Sequence, residues 1–274
     1  MKKIRLILAV GLLMILSIVV NAQDSIKILS NKNAELYIRL AQISLTNKDY
    51  KTVILYADSA LVLDKSATSY RLKGLGQFNL NLWKETVISM SLGLEKNAAD
   101  FDMHYYRGLA NHLLDSTAKA KEISEDMGAA IAIRPSDTMA YYYKGLADFK
   151  LSFNSEFNKD QKLKDCIQSL DNFLKKKPDF TAQFIKGMAN FYLAGSPETA
   201  SSEPYYSETI KDMTICLKIK PKDKDCLFYR GLSRFASYDF KPAGNDSYLL
   251  DKIIKEENED QGKTKSPKIK FFGK

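Results

Sequence analysis

The chain has 274 residues, of which 45% are hydrophobic and 27% are charged, and its formal net charge is +8. The excess positive charge lies at the two ends, in the first five residues and in Lys263–Lys274, so the segment between them is close to neutral. A protein that tracks nucleic acid needs a basic surface on the fold itself. Composition therefore argues against nucleic acid as a partner.

The N-terminus has the three parts of a secretory signal. Basic residues come first, an uncharged apolar run covers 6–20, and Ala22 offers a small residue before a cleavage point at Gln23. As a helix the run would span roughly 22 Å, which is short for a bilayer crossing. We expect 1–22 to be a signal peptide and 23–33 a linker. An uncleaved membrane anchor is the alternative.

A six-residue motif recurs five times after this segment. It consists of a basic residue, glycine, an apolar residue, a small residue, any residue and a ring. The copies begin at Lys73, Arg107, Lys144, Lys186 and Arg230, and their glycines are 34, 37, 42 and 44 residues apart. A period of this length is typical of stacked supersecondary units, which present binding surfaces more often than catalytic sites.

Helical periodicity fills the space between the motifs. Apolar residues recur at intervals of three and four over Tyr50–Leu63, which predicts a helix there, preceded by a turn at 47–49 and a helix over 34–45. The next unit repeats the pattern over Tyr70–Leu80 and Trp83–Leu94.

Three later helices carry end signals. A positive residue followed by proline closes each of them, and an aspartate then stands where the next helix needs an N-cap acceptor, at Asp137, Asp179 and Asp223. These signals delimit the same units as the glycine motif.

The units resemble tetratricopeptide repeats, which are antiparallel helix pairs stacked into a right-handed superhelix. The resemblance implies an all-α fold, a right-handed α-solenoid of about six hairpins over 34–254. The units cover 34–66, 67–100, 101–137, 138–179, 180–223 and 224–254. Small residues that the family needs where helices cross closely would be Gly74, Gly108, Gly145, Gly187, Gly231, Ala60 and Ala130.

The resemblance also implies a partner-binding groove. The residues that would face it are Arg71, Tyr105, Tyr142, Phe184, Phe228, Phe149, Phe191 and Phe235. A row of rings suits an extended peptide or an amphipathic helix. The alternative is that these rings form core between helices. The motif's basic residues either line a rim that attracts acidic partners or pair with carboxylates of a neighbouring unit, such as Asp102 or Asp137.

Three units carry extra residues between their two helices, ahead of Ile123, within Leu151–Lys164 and within Ala194–Glu208. Because all three lie at the same turn of the hairpin, we expect them to share one edge. They are either part of a site or tolerated surface loops.

Residues that could carry chemistry are few. His104 and His112 lie about 12 Å apart on a helix and cannot share a metal. The three cysteines, Cys166, Cys216 and Cys226, have no ligand spacing; core thiols are favoured over a Cys216–Cys226 disulfide. Since no catalytic motif is present either, we expect no catalysis, no metal and no cofactor.

The segment 255–274 is acidic and then basic, which predicts a disordered tail. Its lysines over Lys263–Lys274 suit a peripheral contact with an anionic membrane surface, and Phe271–Phe272 suits a partner motif. The alternative is a solvated chain end without a function of its own. We expect an exported scaffold for protein–protein interaction in a bacterial envelope, in the periplasm or at the cell surface. One alternative is a subunit of an envelope secretion or assembly machine that docks through this tail. A second is a glycan binder or enzyme with a site between the loops of the fourth and fifth repeats.

Overall fold

The computed structural model of the chain describes residues 31–260. Helices occupy most of this range, and no strand occurs within it. The prediction of an all-α helical repeat fold is confirmed. The predicted signal peptide, the linker up to residue 30 and the segment 261–274 lie outside the described residues.

The helices follow one another with short connections. They are α1 (31–46), α2 (Tyr50–Leu63), α3 (Ala67–Asn79), α4 (Trp83–Leu94), α5 (Phe101–Asp115), α6 (Ala120–Ile133), α7 (Thr138–Leu151), α8 (Lys159–Leu174), α9 (Phe180–Ala194), α10 (Glu203–Ile219), α11 (Lys224–Ala236) and α12 (Phe240–Asp260). Helices α3, α5, α7, α9 and α11 begin at the residues where the sequence placed the starts of the second to sixth units.

The two outer boundaries differ from the sequence prediction. Helix α1 already includes 31–33, which had been assigned to the linker, and α12 continues to Asp260 rather than ending near residue 254. Lys255 pairs with Asp251 at 2.7 Å, one helical turn away, and such pairs stabilise a helix. The first helix-breaking residue after them is Gly262. The charged segment 255–260 is therefore helical and not disordered.

Three predicted N-caps are confirmed. Asp137, Asp179 and Asp223 each accept a hydrogen bond from the backbone N–H three residues later, at 2.9, 2.9 and 3.0 Å. Each bond satisfies one of the N–H groups that the first turn of a helix leaves without a partner. The local sequence thus determines where α7, α9 and α11 begin.

The chain divides into two compact units, and the first ends at Leu114. It contains α1–α4 and all but the last residue of α5. Helix α3 packs against both α2 and α4. Its core consists of two clusters of buried side chains, one of Ala41, Val53, Ala57 and Leu72 and one of Met90, Leu94 and Met103.

The second unit begins at Asp115 and contains α6–α12. Each of these helices packs against the next from α6·α7 onward, and α9 also contacts both α7 and α11. First helices of successive hairpins therefore touch, as expected for repeats that interact with their nearest neighbours. One core cluster centres on Leu163, Leu170 and Phe173, and the next on Met213, Cys216, Cys226, Leu227 and Leu250.

The motif glycines lie where the two helices of one hairpin approach closely. A Cβ on Gly74 would lie 2.7 Å from Met90 Cε, and one on Gly187 would lie 2.7 Å from Met213 Cε. At Gly231 the approach is looser, with 3.4 Å to Asp246 Cβ. The other predicted packing residues, Gly108, Ala60 and Ala130, are buried.

The two longest insertions share an edge of the second unit. They connect α7 to α8 over 152–158 and α9 to α10 over 195–202. Ser196 of the second loop donates a hydrogen bond of 2.6 Å to Asp160 at the start of α8, and the rings of Phe153 and Tyr192 pack at 5.1 Å. Within residues 31–260, no helix has both the length and the apolar character that a bilayer crossing requires.

Candidate functional site

Most rings that were expected to line a groove pack against neighbouring rings. Tyr142 lies 4.9 Å from Phe173, centroid to centroid, and Phe191 lies 5.1 Å from Tyr229 of the next hairpin. Tyr105 packs on Phe101, Phe149 lies near Phe153 and Tyr192, and Phe184 lies between Phe180 and Tyr229. Phe228 and Phe235 also have ring neighbours, Tyr229 and Phe240, each at 5.4 Å. For Tyr142, Phe149, Phe184 and Phe191 the contacts reach another helix and fit the alternative interpretation, core between helices. The ring contacts of Tyr105 stay within α5.

Arg71, the one charged candidate, is held by carboxylates. Its Nη1 lies 3.0 Å from Asp102 Oδ2, and its Nε lies 3.8 Å from Asp100. Asp102 was a predicted partner of the motif's basic residues, but its carboxylate forms an ion pair with Arg71, which is not one of them. Arg71 therefore connects α3 to the start of α5.

Four of the five basic residues of the motif bind the second helix of the preceding hairpin. Lys73 lies 2.7 Å from Asp58, and Lys186 lies 2.8 Å from Asp171. Two further contacts have a spacing of 16 residues, Arg107 with Ser91 and Arg230 with Thr214. Lys144 instead pairs with Asp148 of its own helix. Pairing between neighbouring units thus describes this series better than an open basic rim, although the acceptors differ from those expected.

The fifth position of the motif was defined above as open to any residue, but it carries a polar residue in every copy. These residues are Gln77, Asn111, Asp148, Asn190 and Arg234, of which the first four are buried. Gln77 accepts a hydrogen bond of 2.7 Å from Ser89. Asp148 accepts one of 2.6 Å from Ser124. Because buried polar groups need partners, this row adds specific contacts between helices. The recurrence of a polar residue in all five copies is the sequence feature from which the row could have been predicted.

Asp212 is the centre of one such network in α10. It accepts hydrogen bonds from Gln183 Nε2 and Asn190 Nδ2, and Lys186 Nζ lies 3.3 Å away. Burial raises the pKa of Asp212 to about 6, against the opposing effect of Lys186. Burial acts to lower the pKa of Lys186, but hydrogen bonds and charge from Asp171 and Asp212 outweigh it and raise that pKa. The network holds α9 to α10.

Among the rings predicted to line a groove, the two that are exposed lie in the last hairpin. Phe228 is 38% exposed and Phe235 is 55% exposed, and Phe240 beside them is 55% exposed. In the preceding hairpin Phe191 has the same repeat position as Phe235 but lies against Tyr229 of the following helix. No helix follows α12 within the described part of the chain, so this face of the hairpin stays open.

These rings line an apolar cavity of about 240 Å³ between α11 and α12, here called the terminal groove. Its lining residues are Leu227, Phe228, Gly231, Phe235, Phe240, Ala243, Gly244, Ser247 and Leu250. The lining residues of α12 recur at intervals of three and four, the periodicity of one face of a helix. A Cβ built on Gly244 would meet no atom within 4 Å, so this glycine contributes open space to the groove.

An ion-pair network fixes the two helices that form the terminal groove. Asp246 of α12 accepts hydrogen bonds from Arg230 Nε and Nη2 at 3.0 and 2.6 Å, and from Arg234 Nη1 at 2.7 Å. Asp246 is buried, and removing one partner of such a network costs about 3–5 kcal/mol. The groove is therefore pre-formed rather than opened by a ligand.

Chemically reactive groups lie elsewhere. All three cysteines are free thiols buried in the core, and burial raises the pKa of Cys166. His104 Nε2 lies 3.0 Å from the carbonyl oxygen of Ala98. Across residues 31–260, no group of three or more His, Cys, Asp or Glu side chains is placed to hold a metal ion. The terminal groove itself offers apolar contact and one hydroxyl, which suits binding.

No protein-family model matches the chain, and no curated protein matches its sequence. Its structure is similar to that of MamA AMB-1, with 15% identity, a TM-score of 0.55 and coverage of 73% of this chain and 98% of that one. It is also similar to MamA MSR-1, with 16% identity, a TM-score of 0.53 and coverage of 70% of this chain and 98% of that one. It is also similar to YrrB, described as a TPR protein with an unusual peptide-binding site, with 18% identity, a TM-score of 0.54 and coverage of 70% and 89%. The chain has the tetratricopeptide-repeat fold.

Proposed function

We propose that this tetratricopeptide-repeat protein is a scaffold that binds a protein partner through the terminal groove. The observation that carries the proposal is the concentration of exposed rings at Phe228, Phe235 and Phe240 around an apolar cavity. An exposed apolar patch with a pre-formed concave shape is typical of an interaction site.

The other hairpins indicate what kind of segment fits. The ring of Phe191, equivalent to Phe235, is covered by Tyr229 from a neighbouring helix. We expect the partner to present an amphipathic helix or an extended segment with an aromatic anchor, which would occupy the same relative position. The fold similarity to a protein described as having a peptide-binding site supports a peptide-like occupant.

The cellular setting is part of the proposal. The three-part signal pattern in 1–22 supports export, and we place the protein in a bacterial periplasm or at the cell surface. We propose a binding role without catalysis, because the lining of the terminal groove is apolar apart from Ser247. At the loops of the fourth and fifth repeats, Ser196 donates a hydrogen bond to Asp160, and we do not propose a second site there.

A pair of glycine substitutions tests this function. Gly244→Leu would fill the groove from a position with no neighbouring atom, whereas Gly128→Leu would place the same side chain near the stem of Lys144, away from the groove. Partners should be captured from the native envelope by the wild type and by Gly128→Leu, but not by Gly244→Leu, with helix content unchanged in all three.

Capture of the same partners by Gly244→Leu and by the wild type would contradict the groove as the docking surface. Loss of partners on deletion of 261–274, with Gly244→Leu still active, would instead favour docking of a larger assembly through the tail. The deletion starts at residue 261 because α12 extends to Asp260.

A further inference from the structure

We propose that the C-terminal segment Lys263–Lys274 of the same chain occupies the terminal groove and competes with the partner. Occupation of the groove is inferred only from the length of the tail, the shape of the groove and the charges of both. Competition with a partner, in contrast, rests on the proposed function. The tail would act as a tethered inhibitor that a partner must displace.

Exposed rings border the groove. The last hairpin presents three phenylalanine rings, and Tyr238 and Tyr248 nearby are 82% and 73% exposed. Terminal units of repeat arrays usually carry a polar outer face, because exposed apolar surface promotes association. In this hairpin the three phenylalanine rings and the two tyrosine rings are exposed beside polar residues of α12, so a segment that covered the rings would remove apolar surface from water.

The length of chain beyond Asp260 is sufficient for the tail to reach the groove. Gly244 lies sixteen residues before the end of α12, about 24 Å along the helix axis. Eleven further residues lead from Asp260 to Phe271, and an extended chain of that length spans about 36 Å. The tail can therefore fold back along α12 and still leave slack for a turn.

The tail has the side chains that the groove fits. Ile269, Phe271 and Phe272 are its large apolar residues, and five lysines accompany them. Exposed carboxylates lie close in sequence to lining residues, with Asp225 one turn before Phe228 on α11 and Asp239 immediately before Phe240, and the exposed Lys224 and Lys241 lie beside them. Rings would enter the cavity and pack on its phenylalanine rings, as Tyr229 packs on Phe191, while the lysines remain near these acids.

Size favours the tail over a second copy of the chain. The cavity measures about 240 Å³, which suits a short segment with one or two anchoring rings. A stable interface between folded copies buries about 800 Å² on each partner. Tethering also favours the tail, because a short flexible linker provides an effective concentration in the millimolar range.

Competition by the tail should weaken the apparent affinity for a partner by a factor that can be calculated. If a free tail peptide binds the groove with a dissociation constant near 100 μM, an effective concentration of about 1 mM keeps the tail docked roughly ten times as often as undocked. The apparent affinity of the groove for a partner would then be about tenfold weaker than the intrinsic affinity. A variant whose tail cannot dock would therefore bind the partner about tenfold more tightly.

Photo-cross-linking in the full-length chain tests the inference. Phe272 is replaced by p-benzoylphenylalanine, the monomeric protein is irradiated, and the cross-linked peptides are mapped by mass spectrometry. We expect cross-links within one chain to α11 and to 240–250 of α12, with a yield independent of protein concentration. They should persist in Gly128→Leu and disappear in Gly244→Leu.

Two results would overturn the inference. The first is cross-linking to other parts of the chain, or none at all. The second is cross-linking only between two chains with a yield that rises with concentration, which would make a second copy the occupant.

A further measurement separates this inference from the proposed function. With a purified partner, the double variant Phe271→Ser/Phe272→Ser should bind about tenfold more tightly than the wild type. If cross-links form in the groove but the affinity for the partner is the same in Gly244→Leu and the wild type, the proposed function fails and groove occupation stands. If partner binding requires an open groove but the tail does not cross-link there, only the tail inference fails.

Discussion

Gly145 on α7 faces Leu170 on α8 so closely that a Cβ at residue 145 would lie 2.6 Å from Leu170 Cδ2. Leu170 is fully buried and belongs to the core cluster around Leu163 and Phe173. It has no room to move away, because protein cores are packed like organic crystals. The glycine therefore sets the distance between the two helices of this hairpin.

Gly145→Leu should lower the free energy of unfolding by about 3 kcal/mol through overpacking at this crossing. Gly128→Ala is the control, because its Cβ would meet only Lys144 Cε at 3.7 Å and alanine favours a helix over glycine. Urea unfolding followed by circular dichroism measures both. Equal stability of Gly145→Leu and the wild type would show that the crossing tolerates a side chain.

Asp212 should make the second unit sensitive to pH. Since burial raises the pKa of Asp212 to about 6 in the fold, the folded state binds a proton there more readily than the unfolded chain does. Its contribution to stability therefore grows as pH falls through 6 and is complete below the ordinary aspartate pKa, near 4. Relative to Asp212→Asn, the wild type should gain at most about 1.4 kcal/mol per pH unit between pH 6 and 4.

The Asp212 experiment compares urea unfolding of both proteins at several pH values, so that effects of other carboxyl groups cancel. A difference in unfolding free energy that shrinks as pH falls would have the opposite sign and would contradict the proton uptake described for this site.

The three thiols should be unreactive in the folded protein. Cys166, Cys216 and Cys226 are buried, and burial raises the pKa of Cys166; a hydrogen bond with Cys216, followed by burial, raises that of Cys226. Because the thiolate is the nucleophile, alkylation by iodoacetamide at pH 8 should be slow in buffer and complete in urea. Rapid labelling in buffer, or a Cys216–Cys226 disulfide in the peptide map, would contradict this.

The N-cap of α9 should contribute measurably to stability. Asp179→Ala removes the acceptor for the Ala182 N–H and should cost about 1 kcal/mol. Asp179→Ser retains a capping oxygen and should cost much less, which separates capping from other effects of the substitution. Equal melting temperatures for the alanine variant and the wild type would exclude a role for this cap.

Local chemistry explains why helix starts could be predicted from the sequence. Asp137, Asp179 and Asp223 act within three residues of themselves, so the residues that matter are adjacent in the chain. The motif glycines were also informative, because their period reflects a contact repeated in each hairpin. The length of α12 was missed because 255–260 is rich in charge, although ion pairs between successive turns extend the helix.

The exposure of the rings could not be predicted in the same way. Phe191 and Phe235 occupy the same repeat position, but Tyr229 covers the first and nothing in the described residues covers the second to the same degree. Exposure depends on which helix lies next to the ring in space, and a repeat pattern does not contain that information. The buried row through Gln77 and Asp148 was missed for a related reason, since a polar residue on a helix is interpreted as solvated until its partner is known.

The most direct test of the central claim is the affinity of a purified partner for the chain with a filled groove, measured by titration calorimetry. If the terminal groove is the docking surface, Gly244→Leu should weaken binding at least about tenfold, a change of about 1.4 kcal/mol, while Gly128→Leu binds like the wild type. Equal affinities for all three proteins would contradict the assignment of partner binding to the groove between α11 and α12.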